Sequence, residues 1–258
     1  IPALQQAGVD VISLGNNHMY DLLETGLNDT LQTLDTAGLP HFGAGADETA
    51  AWQPALISVS GQTLAFIGCT TISAPVPPVS DHDVTYTASD RLNKGGAAEC
   101  EASALRNAIQ QARASSDTVI VMIHGGYEYD RSPSPRVAEF TALSRQAGAD
   151  LIINHHPHVV GGLDWDGSTL AANSLGNFIF DQTIWPTFES YLLAVTIRDG
   201  EVIRVYAEPL GVVDYVSRGL TGELAGYVSR EAAGLVPGPF VMENGAVEVD
   251  FRTQALRR

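Results

Sequence analysis

The sequence predicts an α/β fold with two sheets, on the basis of three observations. Up to residue 153, short apolar runs rich in β-branched residues alternate with segments of helical spacing. Three of these runs end in a polar loop that contains histidine. Beyond residue 169, shorter segments alternate apolar and polar residues, as antiparallel strands do. With 258 residues, 45% of them hydrophobic, we expect one folded domain, although the length also permits two small ones.

The first part of the chain is predicted to alternate strands and helices. Apolar β-branched runs predict buried strands, and leucines at three- and four-residue spacing predict an amphipathic helix that ends at Gly38. An alanine-rich stretch favours a further helix. The predicted elements are a helix end over 2–7 closed by Gly8, a buried strand over 9–14, a helix over 22–37, a short strand and turn over 41–45, a hairpin of 55–59 and 64–69, an extended loop over 71–96, a helix over 97–114, a strand over 118–123, a helix over 136–147 and a strand over 151–153.

The second part of the chain is predicted to add a second sheet. Three segments alternate in hydropathy and suit antiparallel strands, at residues 170–172, 191–198 and 202–210. From Asp214 onward the pattern is less periodic and predicts no definite element.

The charge balance excludes one class of partner. The chain has 30 acidic and 14 basic residues, a net charge of -16, and Lys94 is its single lysine. Such a charge repels polyanions, so nucleic-acid binding is disfavoured. Divalent cations are the more natural charged partner, although a solvated surface tuned for solubility would give the same composition.

Two cysteines are too few for a disulfide framework. Cys69 lies in an apolar run, so we expect a buried free thiol there, and a disulfide with Cys100 in an exported protein is the alternative.

The sequence contains no run of about 18 apolar residues, so no transmembrane helix is predicted within it. The chain starts at Ile1 without methionine, which we interpret as a truncated or processed start.

Histidines follow three separate predicted strands. Asn17 and His18 follow the first, His124 the second, and His156 and His158 the third. Because ligands of α/β sheets bind at the carboxyl ends of strands, we expect these side chains to converge on a metal. Imidazole suits zinc, iron or manganese, and an amide oxygen suits harder cations such as magnesium. His41 and His82 are interpreted as structural.

Four sequence runs resemble one known family. They are AGVDVISLGNNHMYD, VIVMIHGGYEYD, AGADLIINHHPHVVGG and NSLGNFIFDQ, and they are similar to the bacterial capsule and poly-γ-glutamate synthesis family CapA/PgsA, within the calcineurin-like metallophosphatase superfamily. The likeness covers residues 1–185. It implies a four-layer α/β/β/α sandwich without its N-terminal strand segment, as a single domain over 1–258 in which 186–258 add second-sheet strands and a C-terminal extension.

The resemblance also assigns roles to residues. It implies that Asn17, His124, His156 and His158 bind divalent metal ions, and that His18 contacts the phosphoryl group or protonates the leaving oxygen. Glu128, His155, Asn177 and Asp181 are expected to support the ligands or contact substrate. The run 174–178 is expected either to let backbone approach the metals or to form a turn between sheets.

One departure from the family limits the expected site. The family's Asp-bearing opening strand and its Asn-Leu-Glu segment, which supply the acidic ligands, are absent here and would lie before Ile1. We therefore expect one metal position from this chain rather than the pair of cations, about 3.5 to 4 Å apart, that activates water in such sites. Asp81-His82-Asp83 resembles a substitute, but a solvated turn is the preferred interpretation.

The predicted function is a metal-dependent hydrolase-like protein of capsule or poly-γ-glutamate biosynthesis with a phosphoesterase-type site. Two alternatives stay open: a non-catalytic polymer assembly or export factor, and a general nucleotide or phosphomonoester hydrolase. The resemblance implies an anionic polymer or phosphoester substrate and a membrane-associated synthesis complex. It also implies a location outside the cytoplasmic membrane, with an anchor in the full-length protein.

Overall fold

The computed structural model describes residues 1–73, 87–88, 94–234, 240–241 and 245–251. The chain divides into two compact units. The first comprises Ile1–Gly125 and Glu139–Ala149, and the second comprises Gly126–Ala138 and Asp150–Arg258. The single-domain organisation stays a prediction.

The first unit contains five helices or parts of helices and seven strands among its described residues. They are α1 (Pro2–Gln6), β1 (Ile12–Ser13), α2 (Leu23–Ala37), β2 (His41–Phe42), β3 (Ala44–Gly45), α3 (Glu48–Ala51), β4 (Ala55–Val59), β5 (Gln62–Thr70), β6 (Gly96–Ala97), α4 (Ala102–Arg113), β7 (Thr118–His124) and the part of α5 (Pro135–Ala147) from Glu139 onward.

Strand β5 is the middle strand of this unit. It pairs antiparallel with β4 and parallel with β7, in a register that sets Thr70 opposite His124. Both β5 and β7 are apolar and largely buried, as expected for strands covered on both faces. Helix α4 contacts both strands and buries Leu105 and Ile109. The predicted central role of residues 64–69 is therefore confirmed within this unit.

Two predicted elements of the first unit have different bounds. The strand predicted over 9–14 is only two residues long, is half-buried, and pairs with β2 in a sheet of two strands among the described residues. The helix predicted from residue 97 begins at Ala102. Residues 96 and 97 pair instead with β3, and the amide of Cys100 donates to the carbonyl of Thr70 at 2.8 Å. Tertiary pairing thus overrides the helical propensity of the alanines.

The expectation of a free thiol at Cys69 is wrong. Cys69 and Cys100 form a disulfide, with their Cα atoms 5.1 Å apart, and both residues are buried. The cause is the pairing just described, which brings the segment before α4 alongside β5 although 31 residues separate the two cysteines. Disulfides are typical of proteins in oxidising compartments.

The second unit has two sheets among its described residues. Its further elements are β8 (Leu151–His155), β9 (Val160–Trp165), β10 (Leu170–Leu175), β11 (Glu189–Arg198), β12 (Glu201–Val213), β13 (Val216–Gly219), α6 (Gly222–Ala233), β14 (Phe240–Val241) and β15 (Val247–Asp250). In one sheet β10 lies between β8 and β9, and in the other the order is β11-β12-β15-β14, with β13 paired to β12.

The second sheet is antiparallel, as predicted, but residues 170–172 do not belong to it. They lie in β10, which pairs parallel with β8. The assignment to the second sheet was wrong because a period-two pattern does not show which strand a given strand pairs with.

Strand β9 and helix α6 were not predicted. Helix α6 packs against β9 and β12, and Gly162 allows this because a Cβ there would lie 2.6 Å from the Cα of Gly234.

A buried ion pair stabilises the second unit. Arg131 donates to the carboxylate of Glu189, which is 1% exposed, and to the carbonyl of Val160 at 3.0 Å. The hydroxyl of Tyr227 lies 3.4 Å from the same guanidinium.

In the part of the chain that the structure describes, no helix has the length and apolar character needed to cross a membrane.

Candidate functional site

The loop after β1 presents Asn17 and His18 through a tight turn. The side-chain oxygen of Asn16 accepts from the amide of His18 at 2.8 Å, an Asx turn in which Asn17 is half-buried and His18 is exposed. Gly15 makes the approach of this loop to β5 possible, because a Cβ there would lie 3.0 Å from the backbone nitrogen of Cys69. The Gly-Asn-Asn-His run is thus a loop pressed against the central strand.

Asn17 and His124 meet within the first unit. The Asn17 Oδ1 atom lies 2.6 Å from the His124 Nε2 atom, although 107 residues separate them in sequence. His124 is 8% exposed and ends β7, where its carbonyl accepts from the amide of Thr71 at 2.8 Å. The predicted convergence of these two side chains is therefore observed, with two ligand-type atoms facing each other.

His18 is oriented by Asp21, an aspartate for which no role was predicted from the sequence. The His18 Nδ1 atom lies 2.9 Å from the Asp21 Oδ2 atom. A carboxylate at this distance holds the proton on Nδ1, whereas Nε2 lies 3.5 Å from the Asn17 Nδ2 atom, a contact long enough for a substrate to replace. The side chains are 68% and 53% exposed, as a group that must reach a substrate requires. The only signal in the sequence is the three-residue spacing.

A basic residue lies beside the same loop. The Lys94 Nζ atom is 3.5 Å from the centre of the Tyr20 ring and donates to the carbonyls of Thr87 and Gly95. The Tyr20 hydroxyl donates to Glu24 at 2.9 Å. Burial lowers the pKa of Lys94 to about 8, and the nearby Glu24 only partly opposes this shift. Burial, with a contribution from Glu24, raises the pKa of Tyr20 to about 12.

In the second unit, the turn after β8 carries the other two candidate ligands in unusual backbone conformations. His156 has a φ of 115° and His158 a φ of 62°, values that residues with side chains seldom adopt. Such strain persists only where surrounding contacts enforce it and concentrates at functional sites. Here the carbonyl of Pro157 accepts from the amide of Tyr129 at 2.8 Å, which ties the Gly-Tyr-Glu-Tyr run to this turn.

His158 is held by Asn177. The Asn177 Oδ1 atom lies 2.8 Å from the His158 Nδ1 atom, and Asn177 in turn donates to Gln182 at 3.1 Å and to the carbonyl of Thr187 at 3.2 Å. This arrangement fixes the Nδ1 proton and orients Nε2, as carbonyl partners of metal-binding histidines do. The Phe180 ring packs on the His158 ring, with centroids 4.8 Å apart.

The other predicted site residues have different surroundings. Burial lowers the pKa of His155 to about 4, so this imidazole is neutral at physiological pH. Glu128 and Asp181 are exposed. His41 is half-buried, with Nδ1 3.3 Å from the carbonyl of Leu39. His82 and its neighbours Asp81 and Asp83 lie outside the described residues.

The donor chemistry fits a divalent cation, and the geometry brings two of the predicted ligands, Asn17 and His124, into contact. The facing oxygen and nitrogen of Asn17 and His124 and the oriented Nε2 of His158 are suitable donors. Within the described ranges, no three His, Cys, Asp or Glu side chains lie close enough together to hold a metal ion.

Comparison with known proteins identifies relatives over most of the chain. The capsule biosynthesis protein CapA of Bacillus anthracis is 30% identical over 87% of this chain, and the PGA biosynthesis protein CapA of Bacillus subtilis is 29% identical over 82%. The chain spans 53% of the length of each of these relatives.

The fold is also found among solved structures. A 5'-nucleotidase precursor from Thermus thermophilus matches 81% of this chain and 40% of its own, with a TM-score of 0.52 and 17% identity. This likeness shows the fold alone, which is a mixed α/β fold of the metallophosphatase type, as predicted. The four-layer arrangement stays a prediction. Since residues 1–182 match the family model described as "Bacterial capsule synthesis protein PGA_cap", the chain belongs to that family of capsule synthesis proteins.

Proposed function

We propose that this chain is a metal-dependent hydrolase with a phosphoesterase-type site that acts in capsule or poly-γ-glutamate biosynthesis at the cell surface. Asn17 and His124 in the first unit, and His156 and His158 in the second, are the proposed metal ligands. The observation that carries the proposal is the pairing of Asn17 with His124 beside the exposed His18–Asp21 pair.

The side chains of the first unit suit the cleavage of a phosphoester. Asp21 keeps a proton on the His18 Nδ1 atom, so a doubly protonated imidazole would give its Nε2 proton to the leaving oxygen and become neutral. The exposure of His18 allows this contact, whereas the burial of His124 suits a ligand with a fixed position. A bound divalent cation would supply charge stabilisation to the phosphoryl oxygens.

In the second unit, neighbouring groups hold the two proposed metal ligands in fixed positions. Asn177 fixes the ring of His158, and the strained backbone at His156 and His158 holds both imidazoles in defined positions. Preorganised ligands lose little freedom when a cation binds.

The activity test uses the purified chain with Mn²⁺ and two generic substrates, bis(p-nitrophenyl) phosphate and p-nitrophenyl phosphate. We expect His18→Ala to lower kcat at least a hundredfold while Mn²⁺ binding stays intact. His41→Gln is the matched control, because His41 is a half-buried histidine of the same unit outside the proposed site. Equal rates in wild type and His18→Ala would contradict the catalytic role.

A non-catalytic assembly or export factor is the second candidate. The observation that favours it is that the described part of the chain contains no ready-made group of three His, Cys, Asp or Glu metal ligands. Polymer production that is equal in cells carrying wild type and His18→Ala would support this candidate. Hydrolysis of monoesters with no effect on the polymer would instead favour a general phosphomonoester hydrolase.

A further inference from the structure

A cavity of about 390 Å³ lies in the second unit, next to the His158–Asn177 pair. Its volume is within the range of small-molecule sites. Two residues of its wall contact that pair directly. Phe180 packs on the ring of His158, and Gln182 accepts a hydrogen bond from Asn177.

The wall of this cavity is mainly apolar and aromatic. Besides Phe180, it includes Trp185, Phe188 and Tyr215. Trp185 and Tyr215 are each 57% exposed, which is a large fraction for aromatic side chains, although the Trp185 ring also lies 6.4 Å from that of Phe188. These rings offer faces on which an apolar group could pack.

The charge of the wall disfavours an anionic occupant. Of the described residues that line the cavity, none is lysine, arginine or histidine, whereas Glu189 and Asp214 are carboxylates. The charge of Glu189 is balanced by Arg131, but Asp214 is exposed. A glutamate polymer would therefore meet repulsion here, in a chain whose net charge is already -16.

The backbone holds Tyr215 in place at a conformational cost. Val213 pairs with Val216, so Asp214 and Tyr215 form the two-residue turn between β12 and β13. Both have positive φ, 52° and 65°, a geometry for which glycine or asparagine is preferred. A tyrosine in this position suggests that its ring serves a purpose other than the turn itself.

We propose that this cavity binds an apolar organic group that is joined to the phosphoryl group of the substrate. The inference rests on the proposed function, in which His158 is a ligand of the cation that would bind the phosphoryl oxygens. It narrows the substrate to a phosphoester with an apolar portion and excludes the glutamyl chain itself from this cavity.

The binding test uses N-phenyl-1-naphthylamine, an uncharged apolar dye, with the whole chain. We expect saturable binding to wild type, and a Kd raised about tenfold by Trp185→Ala and by Tyr215→Gly, as loss of an aromatic contact predicts. Leu192→Ala is the matched control, since Leu192 is an exposed apolar residue of β11 outside the cavity wall.

Tyr215→Gly separates a ligand contact from a structural role. Glycine adopts positive φ without strain, so this variant should keep or raise the Tm while binding is weakened. A lowered Tm with unchanged dye binding would overturn the proposal.

Displacement experiments identify the class of occupant. Displacement of the dye by 1-naphthol but not by 1-octanol would identify an aromatic occupant. Displacement by 1-octanol but not by 1-naphthol would identify an aliphatic one. Displacement by tri-γ-glutamate as effective as by either would overturn the proposal.

The link to catalysis is tested separately with 1-naphthyl phosphate and methyl phosphate. We expect the ratio of their kcat/KM values to fall about tenfold in Tyr215→Gly relative to wild type, and to stay constant in Leu192→Ala. Hydrolysis with no change in that ratio would overturn the inference and leave the proposed function standing. Dye binding as expected without hydrolysis of any phosphoester would instead overturn the proposed function and the phosphoester part of the inference.

Discussion

The His18 Nδ1 atom and the Asp21 Oδ2 atom are 2.9 Å apart, which makes Asp21 the partner that orients the proposed catalytic imidazole. We predict that Asp21→Asn lowers kcat with Mn²⁺ by about 10- to 100-fold, because an amide neither holds the Nδ1 proton in place nor stabilises a charged imidazole. Steady-state kinetics with bis(p-nitrophenyl) phosphate measures the effect.

The control for this variant is Asp35→Asn. Asp35 lies 4.0 Å from His41, so it is also an aspartate beside a histidine in the same unit. Its side chain is 73% exposed, and neither residue belongs to the proposed site. Equal losses in the two variants would show that Asp21 has no specific function.

The Cys69–Cys100 disulfide is predicted to contribute about 4 kcal/mol to the free energy of unfolding, because it restricts the unfolded chain across 31 residues. Urea unfolding of the double variant Cys69→Ala, Cys100→Ala measures this loss. Thiol titration of unreduced, denatured wild type should find no free thiol. Two reactive thiols per chain would rule out the disulfide.

The amino group of Lys94 is predicted to react with acylating reagents with a midpoint near pH 8, since burial lowers its pKa to about 8. The ordinary value applies in the unfolded chain, so the unfolded state binds more protons between these two pH values. The contribution of Lys94 to the free energy of unfolding should therefore rise with pH in that window.

Lys94 is the single lysine, so peptide mapping by mass spectrometry follows its acylation separately from that of the N-terminal amine. The denatured chain is the reference, with a midpoint near pH 10.4. A midpoint for the folded chain equal to this reference would refute the burial of the ammonium group.

The Arg131–Glu189 pair is predicted to be structurally important. Arg131→Met leaves the carboxylate of Glu189 buried without its partner, which should lower the free energy of unfolding by about 3 to 5 kcal/mol. Arg204→Met is the control, since Arg204 forms more exposed pairs with Glu248 and Asp250 and should cost at most about 1 kcal/mol. Chemical denaturation compares the two, and equal effects would argue against a buried pair.

Local patterns in the sequence predicted much of the fold. Helix α2 and strands β5, β7, β11 and β12 were identified from periodicity, and Gly38 ends α2 in the left-handed conformation as expected. The late start of α4 and the sheet membership of β10 were not predicted, and the disulfide was only the alternative to the expected free thiol. Each depends on which distant segments pair, and the period of a segment does not contain that information.

The candidate site was likewise predicted only in part from the sequence. Strand-end positions predicted the Asn17–His124 contact, although β1 and β7 lie in different sheets and do not share one sheet edge. The partners Asp21 and Gln182 were missed, since a polar residue in a loop has no distinctive periodicity. The aromatic cavity was missed for a related reason: its wall combines residues around 180 with residues around 214.

The central claim is that Asn17, His124, His156 and His158 bind divalent metal, and calorimetric titration of the chain with Mn²⁺ tests it most directly. We predict saturable binding that is weakened at least tenfold by Asn17→Ala and by His158→Ala, with His41→Gln unchanged. No binding to wild type, or equal affinity in wild type, Asn17→Ala and His158→Ala, would contradict it.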